Sequence, residues 1–139
     1  MNFETLLIDQ DKRGVVTLTL NRPEKRNALS AKMIDELTNF AVSLTSDIRI
    51  VIIQGAGSLF CAGGDLEWMN AQIKADRTTR ITAAKKLASM LKALNELPVP
   101  LIAKVHGAAY GGGVGLACVC DFVISCSNVK FGFTETRLG

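Results

Sequence analysis

The chain has 139 residues, of which 48% are hydrophobic and 21% are charged. This predicts one domain that can bury a core, and it excludes a disordered chain. The formal net charge is only +3 and no run of lysine and arginine is long, which argues against a surface for nucleic acid or anionic membrane.

The cysteines and the N-terminus indicate the compartment. Cys61, Cys118, Cys120 and Cys126 form no CxxC pair, and His106 is not placed beside them at zinc-finger spacing. We interpret the cysteines as small buried apolar residues of a reduced protein, with no metal site. No basic-then-apolar leader opens the chain, and the longest uncharged run is too short and too glycine-rich to span a membrane. A cytoplasmic protein with no membrane partner is therefore predicted.

The first third of the chain predicts a hairpin and a helix. Residues 4–10 and 15–20 are β-rich and flank a turn-like group that ends in Gly14. Residues 21–29 open with proline and charge, which excludes a strand. Ser30 is placed as an N-cap for the helix that follows. That helix has one apolar stripe, formed by Met33, Ile34, Leu37, Phe40, Ala41 and Leu44.

The middle of the chain predicts a strand, a glycine loop and two helices. Residues 48–54 are rich in isoleucine and valine, and residues 55–65 form a glycine-punctuated loop. Asp65 is placed to cap a short helix that contains Trp68. Residues 71–79 are polar and are predicted to be a mobile connection. An amphipathic helix follows over residues 81–94, and the prolines at 98 and 100 stop it.

The last third predicts a strand at 101–105, a glycine turn, a helix-like run from residue 116, and further strands at 122–125 and 130–133. Strands that alternate with helices at this spacing are typical of an α/β fold with right-handed crossovers.

Two glycine loops, residues 62–65 and 111–113, each follow a buried strand and each open a helix. Ligands bind at the carboxyl ends of strands in such sheets, and the first N–H groups of a helix lack partners within it. If the two strands are neighbours, two N–H groups can converge on one oxygen. Close packing of helix on sheet is the alternative that needs the same small residues. Neither loop matches GxxxxGK[ST] or GxGxxG, so nucleotide binding through those motifs is not expected.

Four motifs, in order and at compatible spacings, resemble the enoyl-CoA hydratase/isomerase (crotonase) family. They are Leu20 to Pro23 with Asn27 to Leu29, then Phe60 to Leu66, then Gly107 with Gly111 to Gly113 and Cys120-Asp121, then Phe131 to Phe133 with Glu135. The resemblance covers the whole chain, although family members continue beyond residue 139. It implies an α/β crotonase-like ββα superhelix over residues 1–139, a single domain that ends before the family's C-terminal helical part.

The resemblance also implies a catalytic site. The backbone N–H groups of Gly64 and Gly112 would form an oxyanion hole for the thioester oxygen. Glu135 matches the family's catalytic glutamate, which would activate water or move a proton. No cofactor is implied beyond coenzyme A as part of the substrate. The positions implied to contact substrate and CoA are Lys25, Arg26, Ala28, Ala62, Gly64, Asp65, Leu66 and Gly112.

One departure from the family pattern affects the expected reaction. Hydratases of the family usually carry a second glutamate two residues after the glycine triplet, where this chain has Gly115. A single carboxyl suits either a hydratase, acting as base and then acid, or a 3,2-enoyl-CoA isomerase. Glu67 is a candidate second carboxylate or a surface acid. Residues 63–69 together with Gly115 and Glu135 are most similar to the methylglutaconyl-CoA hydratase branch.

We therefore expect an enoyl-CoA hydratase, with the isomerase as the alternative reaction. A non-catalytic module that binds CoA or protein is the alternative of another class, and RNA binding is the weaker third. The resemblance implies a homo-oligomer, a trimer or a dimer of trimers. An oligomeric or sticky chain is also expected because core normally covered by the family's C-terminal helices would be exposed, and large apolar patches seldom stay bare.

Overall fold

Residues 3–137 are described by a computed structural model. Its strands are β1 (Leu6–Gln10), β2 (Val15–Leu20), β3 (Ile50–Gly55), β4 (Leu101–Val105), β5 (Ala108–Tyr110), β6 (Phe122–Ser125) and β7 (Lys130–Gly132). Its α-helices are α1 (Ala31–Val42), α2 (Leu66–Lys74), α3 (Arg77–Asn95) and α4 (Gly112–Cys118). Two 3₁₀ turns occupy Pro23–Lys25 and Thr134–Arg137.

The main sheet has the order β1-β2-β3-β4-β6. The first two strands form the predicted antiparallel hairpin, and β2, β3, β4 and β6 run parallel to one another. Along β2 the side chains of Val16, Leu18 and Leu20 are buried and alternate with more exposed neighbours, as expected for a strand with one face on the core. The predicted α/β class is confirmed.

A second, smaller layer of pairing follows the four parallel strands of the main sheet. Leu29 pairs with Gly64, Cys61 pairs with Ala109, and β5 pairs with β7, all in parallel. A strand of the main sheet, a short pairing segment and then a helix therefore recur along the chain, as the resemblance implied. Strand β5 was not predicted, because three residues between glycines carry no periodic signal.

The helix α1 begins where the sequence predicts. The Ser30 hydroxyl accepts a hydrogen bond from the Met33 N–H at 3.2 Å, which satisfies one of the donors left free at the helix start. Met33, Ile34 and Leu37 are fully buried against the sheet. Leu44 lies beyond the helix end but still packs on the core.

The prediction of a mobile connection over residues 71–79 was wrong. Helix α2 continues to Lys74 and α3 begins at Arg77, so only two residues separate them. The Asp76 carboxylate caps α3 by accepting the Thr79 N–H at 2.7 Å. The segment is polar because its residues are mostly exposed to solvent on these two helices, which is compatible with helix when a cap is present.

The four cysteines differ in burial, and Cys120 is intermediate. Cys61 is buried, and burial raises the pKa of its thiol to about 11, so it stays protonated and unreactive at neutral pH. Cys118 and Cys126 are exposed, which contradicts the prediction that the cysteines are buried apolar residues. They lie at the end of α4 and just after β6, where little of the described chain packs over them.

The last strands leave apolar side chains uncovered. Between 46% and 63% of each of five residues is exposed, and we call this set the C-terminal apolar face: Phe122, Val123, Ile124, Phe131 and Phe133. Strand β6 is the edge of the main sheet, so its outer side has no strand partner among residues 3–137. None of the helices in that range is long and apolar enough to cross a bilayer.

Candidate active site

The loop before α1 is held in an unusual conformation by Asn27. Both Arg26 and Asn27 have φ of +52°, the left-handed region that asparagine tolerates better than most residues. The Asn27 side chain is fully buried and donates to the carbonyls of Ala56 (2.7 Å) and Leu59 (2.9 Å). Its Oδ1 accepts from the Arg22 N–H at 3.0 Å. These bonds hold the loop against the turn that follows β3.

Asp65 joins this loop to helix α2. Its Oδ1 accepts from the N–H groups of Glu67 (2.9 Å) and Trp68 (3.2 Å), which makes it the N-cap of α2 as predicted. Its Oδ2 accepts from Arg22 Nη1 at 2.9 Å, and the same nitrogen donates to the Ala28 carbonyl at 2.8 Å. Both side chains of the ion pair are largely buried. The Asp65 carboxylate is therefore occupied by protein donors, and it positions the loops around it.

The electrostatic balance at Asp65 favours the ionised carboxylate. Burial acts to raise its pKa, but the hydrogen bond from the Trp68 N–H and the hydrogen bond and charge of Arg22 outweigh that effect. The pKa of Asp65 therefore lies below the ordinary value for aspartate.

Most of the residues predicted to contact CoA line one cavity of about 440 Å³. Of the predicted set only Gly112 lies outside this lining, which also includes Glu24 and Glu67; the predicted members are Lys25, Arg26, Ala28, Ala62, Gly64, Asp65 and Leu66. Lys25 pairs with Glu67 at 2.9 Å in an exposed position. Exposed pairs of this kind are weak, so the Lys25 ammonium is free to exchange Glu67 for an anionic ligand.

The two glycine loops contact each other directly. Leu29 connects to the first loop by donating its N–H to the Gly63 carbonyl (2.7 Å) and accepting from the Asp65 N–H (3.0 Å). A Cβ atom added to Gly63 would lie 2.9 Å from the Tyr110 carbonyl oxygen, and one added to Gly112 would lie 4.0 Å from the Gly63 Cα. The neighbouring strands β3 and β4 thus bring the loops into the contact that the sequence predicted only conditionally.

Two backbone donors at this contact have no protein partner. Among residues 3–137, the N–H groups of Gly64 and Gly112 donate to no acceptor, whereas the N–H of Asp65 donates to Leu29 and that of Gly111 donates to Gly132 at 2.9 Å. Both glycines are partly shielded from solvent. Partly buried N–H groups are normally paired, so each of these two is available to an acceptor atom of a ligand.

Glu135 lies beside these donors. It belongs to the 3₁₀ turn Thr134–Arg137, and its carboxylate rests against Gly111, where an added Cβ would overlap Oε1. Gly111 has φ of +48°, a conformation that favours glycine, and an added Cβ could be accommodated only if the Glu135 carboxylate moved away. The glycine triplet was recognised from the sequence, but the contact between Gly111 and Glu135 was not, because the two residues are far apart along the chain.

Gly115, at the position where the family usually carries a second glutamate, has room for a side chain. A Cβ atom added to Gly115 would meet only the Leu91 side chain, at 3.8 and 3.9 Å, so a glycine is not demanded there by packing. Glu67, the other candidate carboxylate, is exposed on α2 and is paired with Lys25 at the cavity.

Comparison with known proteins identifies the family. The family model described as Enoyl-CoA hydratase/isomerase matches residues 10–139. That range includes both glycine loops and Glu135. The chain therefore belongs to the enoyl-CoA hydratase/isomerase family, as its motifs predicted.

Individual relatives agree with this assignment. The chain is 40% identical over 141 residues to the Mycobacterium bovis protein named Probable enoyl-CoA hydratase echA8, covering 100% of this chain and 52% of that protein. It is 35% identical over 134 residues to the mitochondrial methylglutaconyl-CoA hydratase of Mus musculus, covering 94% of this chain and 42% of that protein.

The fold is shared with solved structures of the family. An enoyl-CoA hydratase from Shewanella pealeana superimposes with a TM-score of 0.94 at 32% identity, over 99% of this chain and 52% of that chain. The predicted crotonase-like fold is therefore confirmed. The chain spans about half the length of the relatives it matches.

Proposed function

We propose that this protein is an enoyl-CoA hydratase that adds water to an α,β-unsaturated acyl-CoA thioester. The observation that carries the proposal is the group formed by the unpaired N–H donors of Gly64 and Gly112 and the carboxylate of Glu135 beside Gly111. Two donors and one base on adjoining loops suit a reaction in which negative charge builds on one oxygen.

In the proposed mechanism the thioester oxygen accepts hydrogen bonds from Gly64 and Gly112. Glu135 takes a proton from water as the water oxygen adds to the β carbon, and the displaced electron pair moves through the α carbon onto the thioester oxygen. The resulting enolate is then protonated at the α carbon by the Glu135 carboxylic acid, which returns to its ionised form. Loss of one oxyanion donor typically raises such a barrier by about 3 kcal/mol.

The CoA portion of the substrate is proposed to occupy the cavity of about 440 Å³. Lys25 and Arg26 supply cationic groups for its phosphates, and Ala28, Ala62 and Leu66 supply small or apolar surface. Gly64 belongs both to this lining and to the oxyanion donors, which supports a thioester oxygen at the inner end of a bound CoA.

Two further features bear on the substrate and the reaction. Similarity to a named methylglutaconyl-CoA hydratase supports a short branched acyl group. Gly115 supports chemistry with a single glutamate, since no carboxylate stands at that position. The same feature favours the second candidate, a 3,2-enoyl-CoA isomerase, in which one base moves one proton between two carbons of the substrate.

The proposal is tested by ultraviolet absorbance of the conjugated enoyl thioester after mixing with the protein. Crotonyl-CoA, 3-methylglutaconyl-CoA and a 3-enoyl-CoA are offered separately. Loss of absorbance with a conjugated substrate is the expected result and means hydration. A gain of absorbance with the 3-enoyl substrate alone means isomerisation. No change with any of the three, in a folded sample, overturns both reactions and leaves a binding module.

Gly111 provides a test of whether its contact with the Glu135 carboxylate matters for activity. Substitution of Gly111 by alanine is expected to reduce hydration by about 100-fold, because the added Cβ displaces the Glu135 carboxylate and small displacements of this kind carry large rate penalties. Gly115→Ala in α4 is the matched control. It has room for the methyl group, and it is expected to stabilise the helix by about 0.5–1 kcal/mol with activity unchanged. Equal activity of the two variants in the absorbance assay would contradict the predicted contact.

We also propose that the chain forms homo-oligomers. The C-terminal apolar face supports this, because exposed aromatic and branched side chains on an edge strand and after it favour association. Light scattering of the purified chain is expected to report a species larger than the monomer. Phe122→Lys is expected to reduce the mass of that species. A monodisperse monomer of unmodified chain would contradict the proposal.

A further inference from the structure

A second groove, of about 320 Å³, lies between α1, α2 and α3. Part of its lining is apolar and includes Ala31, Ile34 and Trp68. The rest is more polar and includes Gln72, Thr78 and Thr82. The mechanism above assigns nothing to this groove.

Trp68 stands between this groove and the candidate active site. A Cβ atom built on Gly64 would lie 4.0 Å from Cζ3 of the Trp68 indole and 3.0 Å from Sδ of Met69. The same indole lines the groove and packs against the core. On the α1 side, Leu29 pairs with Gly64, and Ala31, two residues later, lines the groove. The Trp68 side chain therefore lies next to both Gly64 and the groove.

Gln72 makes the groove a poor place for an alkyl chain. It follows Trp68 by one helical turn on α2 and so lies on the same face of that helix. Its Oε1 is shut off from solvent and has no hydrogen-bond donor among residues 3–137. An acceptor of this kind is best satisfied by water or by a polar ligand group, and an alkyl chain that filled the groove would leave it permanently unpaired.

We infer that Trp68, together with Gln72, sets the acyl length that this protein accepts. Trp68 ends the acyl site next to Gly64, so the bound thioester carries a short acyl group whose distal end meets the indole. Removal of the indole joins the site to the groove between α1, α2 and α3 and admits a longer chain. This inference rests on the proposed function, because it takes the thioester oxygen to lie at Gly64 and Gly112.

The test measures binding of unreactive, saturated thioesters by isothermal titration calorimetry, so that it does not depend on turnover. CoA, butyryl-CoA and octanoyl-CoA are titrated into the unmodified chain, Trp68→Ala, Trp68→Ala with Gln72→Leu, and Ile73→Ala. Ile73 lies on the same helix, is exposed, and does not line the groove, so its variant is the control for loss of an apolar side chain.

We expect the unmodified chain and Ile73→Ala to bind octanoyl-CoA no more tightly than butyryl-CoA. Trp68→Ala is expected to shift the ratio of the butyryl-CoA and octanoyl-CoA dissociation constants by about tenfold in favour of octanoyl-CoA. The added Gln72→Leu is expected to shift this ratio further. Trp68→Phe retains most of the packing and is expected to give an intermediate ratio. It takes the place of Trp68→Ala if the alanine variant does not fold.

Trp68 is also the one tryptophan of the chain, which allows a check without any variant. Butyryl-CoA is expected to change the tryptophan emission, because its acyl end meets the indole, while CoA alone is expected to change it much less. Equal changes with the two ligands would overturn the inference. So would tight binding of octanoyl-CoA by the unmodified chain, or an unchanged ratio in the Trp68 variants.

The outcomes also separate this inference from the proposed function. If the folded chain binds CoA and butyryl-CoA but substitution of Trp68 leaves the relative affinity for butyryl-CoA and octanoyl-CoA unchanged, only the role of Trp68 is wrong. If it binds neither CoA nor any acyl-CoA, the proposed function fails and the inference fails with it.

Discussion

Glu135→Gln is expected to slow hydration of a 2-enoyl-CoA by about 10²- to 10⁴-fold, the range for loss of a positioned general acid–base group. Glutamine keeps the size of the side chain but cannot take a proton from water. The fold is expected to tolerate the change, because the Glu135 carboxylate is exposed and forms no hydrogen bond or ion pair with residues 3–137. The loss of activity is therefore expected to appear as a lower kcat, with the free energy of unfolding unchanged.

The experiment compares initial rates of absorbance loss with crotonyl-CoA for the unmodified chain and the variant, alongside thermal unfolding. Glu96→Gln is the matched control. It makes the same chemical change at an exposed carboxylate at the C-terminus of α3, where the nearest cation, Lys92, is 3.8 Å away. Full activity in Glu135→Gln, or an equal loss in Glu96→Gln, would remove Glu135 from the mechanism.

Asp65→Ala is expected to lower the free energy of unfolding by about 3 kcal/mol, as loss of one partner from a buried ion pair does. The change leaves the Arg22 guanidinium without its carboxylate and removes the N-cap of α2. Urea unfolding followed by circular dichroism measures the loss. The Arg22→Ala and Asp65→Ala double variant is expected to lose less than the two single variants added together, because both single changes break the same contact. Strict additivity would contradict the coupling.

The pH dependence of that loss follows from the pKa of Asp65. Since the folded protein holds this pKa below its ordinary value, the stabilisation is complete above the unfolded-state pKa of about 3.9 and decreases as the pH falls through the lower folded-state value. The difference in unfolding free energy between the unmodified chain and Asp65→Ala is therefore expected to be constant from about pH 7 to pH 5 and to shrink below about pH 4. The exposed Asp9 on β1 offers Asp9→Ala as the control for removal of a carboxylate, and its effect on the unfolding free energy is expected to be small. A gap that widens on acidification would show that Asp65 is not held ionised.

The positioning network around Asp65 shows where sequence reasoning falls short. The capping role of Asp65 was predicted, because a cap depends on residues two or three positions away. Its partner Arg22 was not, since it lies 43 residues earlier and nothing in the local pattern relates the two. The same holds for Asn27, whose side chain donates to carbonyls 29 and 32 residues further along the chain.

Local signals and the order of motifs were sufficient for the hairpin, the Ser30 and Asp65 caps, the α/β class and the family, because turn chemistry, caps and periodicity act within a few residues. Local polarity also misled, since the polar run from 71 to 79 is mostly helical. The remaining features required the tertiary structure: contact of the two glycine loops, the carboxylate of Glu135 against Gly111, and the position of Trp68 beside both Gly64 and the groove between α1, α2 and α3. Each depends on strands β3, β4 and β6 lying side by side, and the distance between residues so far apart in the chain is decided by packing of the whole sheet rather than by any neighbouring sequence.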